Sequence, residues 1–200
     1  MKKYTIGIDF GTLSGRAVLV RVADGAVMAE SALAYPHGVM DEALPDGTPL
    51  PPKFALQHPQ DYLDVLYTTL SDVIRQSGVS PEEIGGVGVD FTSCTVIPVK
   101  ADGTPLCFLP EFENEKHAYV KLWKHHGAQA QADRILSLAK ERGETWPSLY
   151  GDRISSEWMF PKILEVLEEA PHVYEAADRF IEAGDWIVWM LTGHEARSAS

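Results

Sequence analysis

Tyr4, Ile6, Ile8 and Phe10 alternate with Thr5, Gly7 and Asp9 near the start of the chain, the period-two pattern of a half-buried strand. Asp9 falls on the face opposite the apolar side chains. A short Gly/Thr/Ser turn follows, and residues 16–22 return as a second β-rich run. Asp24-Gly25 marks a hairpin, and residues 26–32 read as a third strand. Three consecutive strands joined by tight turns predict an antiparallel meander. Residues 36–53 carry Pro, Gly and Asp without periodicity, the mark of a long loop.

From residue 59 the period changes. Tyr62, Leu63, Leu66, Leu70, Val73 and Ile74 form one helical stripe, with Pro59 suited to the first turn and Gly78 to the stop. Residues 84–91 read as a buried strand whose Gly85, Gly86 and Gly88 allow neighbouring backbone to come close. Residues 95–99 predict another strand, closed by Asp102-Gly103. Residues 115–142 read as helical with a weak point at Gly127, and residues 158–169 as a shorter helix. A brief strand over 179–182 precedes a Trp-rich helix over 185–191, with Asp185 as its N-cap and Trp186 and Trp189 facing the core. The sum is an α/β domain with a mixed sheet. Its consecutive opening strands do not fit the doubly wound dinucleotide fold, where helices separate the strands.

Composition narrows the field. The chain has 200 residues, 45% hydrophobic and 23% charged, enough for one domain with a real core. Its net charge of −12, with Lys and Arg scattered singly, argues against nucleic acid and anionic membranes as partners. Cys94 and Cys107 lack the spacing of a zinc site or redox pair and read as reduced thiols. No apolar run reaches the length of a signal core or membrane span, so a cytoplasmic protein is expected. The sequence leaves a homo-oligomer open.

Candidate chemistry sits first in the turn after the opening strand. Gly11 permits a tight turn, Thr12 and Ser14 bring hydroxyls beside free amides, and Asp9 and Arg16 flank them. Such a set can cradle a phosphate, and the carboxylate can hold a hydrated Mg²⁺ through water. The same residues also make an ordinary hairpin turn. Their order, Gly7-Ile8-Asp9-Phe10-Gly11-Thr12 followed by Ser14 and Arg16, resembles the first phosphate motif of the actin, Hsp70 and sugar-kinase superfamily.

Within that superfamily nearly the whole chain resembles the FGGY carbohydrate kinases, most closely their ribulokinase branch. The resemblance runs through Gly88-Val89-Asp90-Phe91-Thr92-Ser93-Cys94-Thr95, Asp102-Gly103-Thr104-Pro105-Leu106, Leu122-Trp123-Lys124-His125-His126, Ile154-Ser155-Ser156-Glu157-Trp158 and Gly184-Asp185-Trp186-Ile187-Val188-Trp189. It implies an actin-like ATPase (ribonuclease H-like) fold and the N-terminal, substrate-side lobe of a two-lobed sugar kinase. ATP and Mg²⁺ are the implied cofactors, and a ketopentose such as L-ribulose, met in L-arabinose catabolism, the implied substrate. A xylulose-type sugar or polyol, and a non-catalytic actin-like binding module, stay open as alternatives.

The same resemblance places the sugar near Ser93, Cys94, Thr95, Trp123 and Lys124. Trp123 reads either as a wall for a sugar's carbon face or as a core residue of an amphipathic helix. Lys124, His125 and His126 read as donors to hydroxyls or as a solvated helix face. Asp90 reads either as a brace for its turn or as facing the ligand, and Glu157 and Trp158 read as helix entry and packing. The resemblance puts the catalytic carboxylate and the adenosine half beyond Ser200, so the chain is expected to be a truncated piece, inactive alone.

Overall fold

The structure is a computed structural model and describes residues 2–198. The expected catalytic base lies outside them. Strand β1 (Tyr4–Phe10) pairs antiparallel with β2 (Ser14–Arg21), which pairs antiparallel with β3 (Val27–Ala34). The alternation does what it predicts: Ile6, Ile8 and Phe10 are buried, and Asp9 lies on the other face. A two-residue strand β4 (Leu56–Gln57) leads into helix α1 (Pro59–Ser77). His58 caps this helix by accepting from the Gln60 N–H, and Gly78 ends it at φ 65°.

After α1 the chain re-enters the sheet as β5 (Ile84–Phe91), parallel to β1, giving the order β3-β2-β1-β5. Tyr62, Val65, Leu66 and Val73 of α1 pack with Ile6, Ile8, Phe10, Ala17 and Leu19 of the sheet in one cluster. The helix comes so near at Gly15 that a Cβ there would stand 2.4 Å from Val65 Cγ1. Glycine is required at that position by contact.

A second four-stranded sheet, which the pattern of the sequence does not reveal, has the order β4-β7-β6-β8, with β6 (Val96–Val99), β7 (Val120–Lys121) and β8 (Arg179–Glu182). Helices α2 (Gln129–Glu141), α3 (Met159–Glu169) and α4 (Pro171–Ala176) follow β7, and α5 (Ala183–Thr192) follows β8 directly. Trp186 and Trp189 of α5 are buried as expected, the Trp186 indole donating to the Gly103 carbonyl at 2.8 Å. Neither Cys94 nor Cys107 is bridged. Among the described residues no helix is long and apolar enough to cross a membrane.

Three expectations are corrected. Residues 115–142 are not one helix: a 3₁₀ turn at Lys116–Ala118, strand β7 and a turn through 122–128 come before α2. Tertiary pairing with β4 and the inward pull on Lys121 and His125 override local helix preference. Strand β5 is mostly exposed rather than buried, and a Cβ at Gly86 or Gly88 would meet nothing within 4 Å. It runs along the sheet edge, and of the three glycines only Gly85 meets backbone, a Cβ there standing 3.4 Å from Tyr4 O. Asp185 is not the N-cap, because α5 begins two residues earlier at Ala183 with Glu182 in the cap position.

Candidate functional site

Turn 11–13 is closed by the Gly11 N–H donating to the Ser14 carbonyl at 3.0 Å. Its outer carbonyls are pinned: Thr12 O accepts from Gln57 Nε2 at 2.8 Å, and Leu13 O from the Tyr35 N–H at 2.9 Å. Gln57 is itself buried and accepts from the Tyr62 hydroxyl at 2.5 Å. The turn is thus fastened to α1, its hydroxyls left half-buried at Thr12 and Ser14. Strand register puts Arg16 opposite Asp9 on one side and Asp90 beside it on the other. Asp9 Oδ2 stands 3.4 Å from Arg16 Nε, so two carboxylates and a guanidinium form a row on the solvent face.

The parallel pairing of Phe10 with Phe91 brings a second turn, 92–95, alongside the first, and the Thr92 N–H donates to Phe10 O at 3.3 Å. Ser93 is exposed at its tip. Cys94 adopts φ 58°, a left-handed conformation that side chains other than glycine rarely take. Thr95 is fully buried, its hydroxyl 2.9 Å from that of Thr92, so it braces the turn from within. The Glu182 carboxylate faces the backbone N–H groups of Cys94 and Thr95, whose dipoles favour its charged form. Burial raises its pKa, and the Lys162 charge and those dipoles pull the other way. A cleft of about 730 Å³ opens here, lined by Phe91, Ser93, Cys94, Met159, Glu182 and Asp185 among others.

Trp123 stands between the two turns. Its indole Nε1 donates to Thr12 Oγ1 at 3.2 Å while the ring is 39% exposed, which leaves a flat apolar face toward solvent. Lys124 is half-buried next to it. His125 is fully buried and cannot reach a ligand hydroxyl, and His126 lies exposed with Nδ1 3.2 Å from Ser156 Oγ. The readings of 123–126 as a helix face therefore fall, and Trp123 is a loop residue held at its edge.

Helix α3 holds that loop from beneath with two buried charges. Lys162 Nζ donates to the carbonyls of Cys94 and Leu122, at 2.5 and 2.8 Å. Burial pushes its pKa down to about 8. One turn on, Glu165 accepts from His125 Nε2 at 2.9 Å and lies 2.8 Å from Lys121 Nζ. The Ala55 N–H donates to His125 Nδ1 at 3.3 Å, which assigns the ring proton to Nε2. Burial lowers the His125 pKa to about 4, keeping the ring neutral. Burial would raise Glu165, but the His125 bond and the Lys121 charge outweigh it and hold the carboxyl at about 2. A Cβ on Gly127 would stand 2.4 Å from Glu165 Oε1.

The family model described as the FGGY family of carbohydrate kinases, N-terminal domain, matches residues 4–199. The chain belongs to the FGGY family of carbohydrate kinases. A ribulokinase from Mycolicibacterium smegmatis is 55% identical over 99% of this chain and 36% of its own length. One from Geobacillus thermodenitrificans is 51% identical over 99% of this chain and 35% of its own length. This FGGY chain thus spans about a third of the curated relatives it matches. Its fold is that of a xylulose kinase from Rhodospirillum rubrum, with TM-score 0.73 at 19% identity, covering 98% of this chain and 36% of that one. A Plasmodium falciparum glycerol kinase, solved with ADP, gives TM-score 0.66 at 14% identity over 95% of this chain and 34% of that one.

The structure of this FGGY domain brings Asp9, Gly11, Thr12, Ser14, Arg16, Ser93, Cys94, Trp123 and Lys124 to one end of the first sheet, with Thr95 beneath them. Gln57, Lys162, Glu165 and Glu182 were missed. For the α3 pair a signal existed: Lys162 and Glu165 share the buried face with Pro161 and Val166, so two charges sit in phase with the apolar stripe. The oxygen-only donors at Asp9, Asp90, Thr12 and Ser14 fit a hard cation such as Mg²⁺. A separate cluster of His37, His58 and Asp61 brings one possible ligand atom from each residue within 4.8 Å of the others. Its rings stack 4.2 Å apart at 16°, His58 Nδ1 accepts from Gln60 N–H, and His37 is bonded to Asp61 at 2.6 Å.

Proposed function

We propose that this chain is the substrate-side lobe of an ATP-dependent kinase that phosphorylates a ketopentose of the ribulose type. The observation that carries the reading is the junction of the two turns at Trp123. Its indole is fixed to Thr12 of the first turn, while the carbonyl of the preceding Leu122 shares the Lys162 ammonium with the Cys94 carbonyl of the second turn. In this reading the sugar lies against Trp123 and the 92–95 turn, and its terminal hydroxyl points toward the 11–14 turn. Small residues and backbone amides there receive the transferring phosphoryl group, and Arg16 holds the Asp9 carboxylate in place. Mg²⁺, when bound through water at Asp9, would supply charge neutralisation to the phosphates. The attacking hydroxyl gives its proton to a carboxylate that the family resemblance places beyond Ser200.

Ribulose is favoured over xylulose by the identity with proteins called ribulokinases, against 19% for the xylulose kinase fold match. That sugar fits a cytoplasmic enzyme of L-arabinose catabolism with sugar and ATP as its partners. The test is ATP-dependent phosphorylation of L-ribulose, D-xylulose and glycerol by the complete polypeptide. Preferred turnover of L-ribulose is expected, and turnover of none of the three would overturn the reading. Residues 1–200 alone should give no product.

A further inference from the structure

Lys162 is fully buried, yet no carboxylate oxygen lies within ion-pair distance of its ammonium among the described residues. Its donors go to two backbone carbonyls, those of Cys94 and Leu122. These are the residues next to Ser93 and Trp123. A buried ammonium is poor packing material; an apolar side chain of the same length would fill the space with less desolvation. What the cation adds is a fixed distance between two segments that belong to different parts of the chain. The Cys94 end is held twice, since the Glu182 carboxylate faces the N–H groups of Cys94 and Thr95 while Lys162 donates to the Cys94 carbonyl. Both grips hold a residue at φ 58°, where an L side chain does not rest unaided. At the other end, the Leu122 carbonyl and the bond from the Trp123 indole to Thr12 hold the ring from two directions.

We propose that Lys162 is a positioning residue for the sugar: seated between the Cys94 and Leu122 carbonyls, it sets the spacing between the 92–95 turn and the 122–126 loop, the slot that holds the sugar in the proposed reading. The inference rests on the sugar-kinase reading of that slot. Lys162 itself touches no substrate, and its effect is on how closely a ketose is gripped.

The test is steady-state kinetics of the complete polypeptide and its Lys162→Met variant. KM for L-ribulose should rise about tenfold, the scale of a modest misplacement of binding groups, with KM for ATP and kcat at saturating sugar within about twofold. Lost folding would lower the active fraction, and hence kcat, without moving KM. Glycine adopts positive φ freely, so in a Cys94→Gly background the same substitution should raise the ribulose KM by less than about threefold. A ribulose KM within twofold of wild type, or an undiminished effect in the Cys94→Gly background, overturns the proposal. Should Lys162→Met fail to fold, Glu182→Gln carries the test. It weakens the other grip on Cys94, and a ribulose KM unchanged by it overturns the proposal. A wild-type protein inert on ketoses fails the sugar-kinase reading and takes this inference with it, whereas an active wild type with an indifferent Lys162→Met fails the inference alone.

Discussion

Trp123 is bonded to Thr12, three residues beyond Asp9, but in the proposed reading Asp9 and Trp123 carry separable duties. Asp9→Asn keeps the shape and loses the charge that faces Arg16 and the phosphates. In the complete polypeptide kcat should fall by about 10²-fold or more, as when one preorganised electrostatic partner is removed, with ribulose affinity nearly unchanged. Trp123→Ala should do the reverse, weakening sugar binding by roughly 1–3 kcal/mol while sparing the phosphate step. Calorimetry with ribulose beside kcat separates them, and a common pattern for both variants would contradict the division. Gly127 makes a third case. A methyl group there would stand 2.7 Å from His125 Nε2 as well as against Glu165. Gly127→Ala should therefore destabilise the domain by about 1–3 kcal/mol, the cost of disturbing a buried polar network, measurable by urea unfolding.

The 3₁₀ turn, β7 and α3 form an element-scale device whose pH response can be worked out. Burial lowers the pKa of His117 to about 3 and of His125 to about 4, from an ordinary 6.5. Lys121, Lys116 and Lys162 repel added protons there, and Glu165 attracts them. Below pH 6.5 the unfolded chain binds protons at these rings that the folded chain refuses, so stability rises with pH across this window and is lost as pH falls toward 4. The limiting slope is about 1.4 kcal/mol per pH unit for each ring. Glu165, held at about 2, adds a loss below its ordinary 4.5. Thermal melts should be level from pH 8 to 7 and fall steadily from 6.5 to 5; a level profile down to 5 would refute the neutral-histidine assignment. This device is also where the sequence was least legible. The β1–β2 hairpin, α1 and β8 follow from local alternation, helical stripes and caps, and emerged within a residue or two of expectation. Residues 115–128 are shaped by partners 40 and more positions away, as with Glu165 for His125 and Lys162 for Leu122, and no local pattern carries such pairings. Within the candidate site, the turn over residues 11–14 was readable because its residues are contiguous. The grips on Cys94 were not, since they come from α3 and β8.

Across the molecule, β1 is flanked on both sides while β5 has one partner and an exposed face. Amide exchange should therefore be slowest at Ile6 and Ile8 and markedly faster through 85–88; equal protection in the two strands would contradict the edge placement. The core is likewise divided. One cluster joins the first sheet to α1 and α5, and the other gathers Met40, Phe54, Leu106, Tyr119 and Val166 around the loops.

Thr12 has a wider meaning in such a layout. Its carbonyl and hydroxyl receive Gln57 of β4 and Trp123 of the loop after β7, both from the second sheet's side of the chain. In the proposed reading, phosphate handling and sugar grip are thus written on separate stretches and tied at one small residue. A lineage could rewrite residues 92–95 and 122–126 to accept a new sugar while leaving the inherited ATP machinery alone, provided the side chain replacing Trp123 still offers Thr12 a donor. Exchange of sugar preference would then be a matter of few substitutions, and the diversity of a kinase family would be cheap to evolve at this knot.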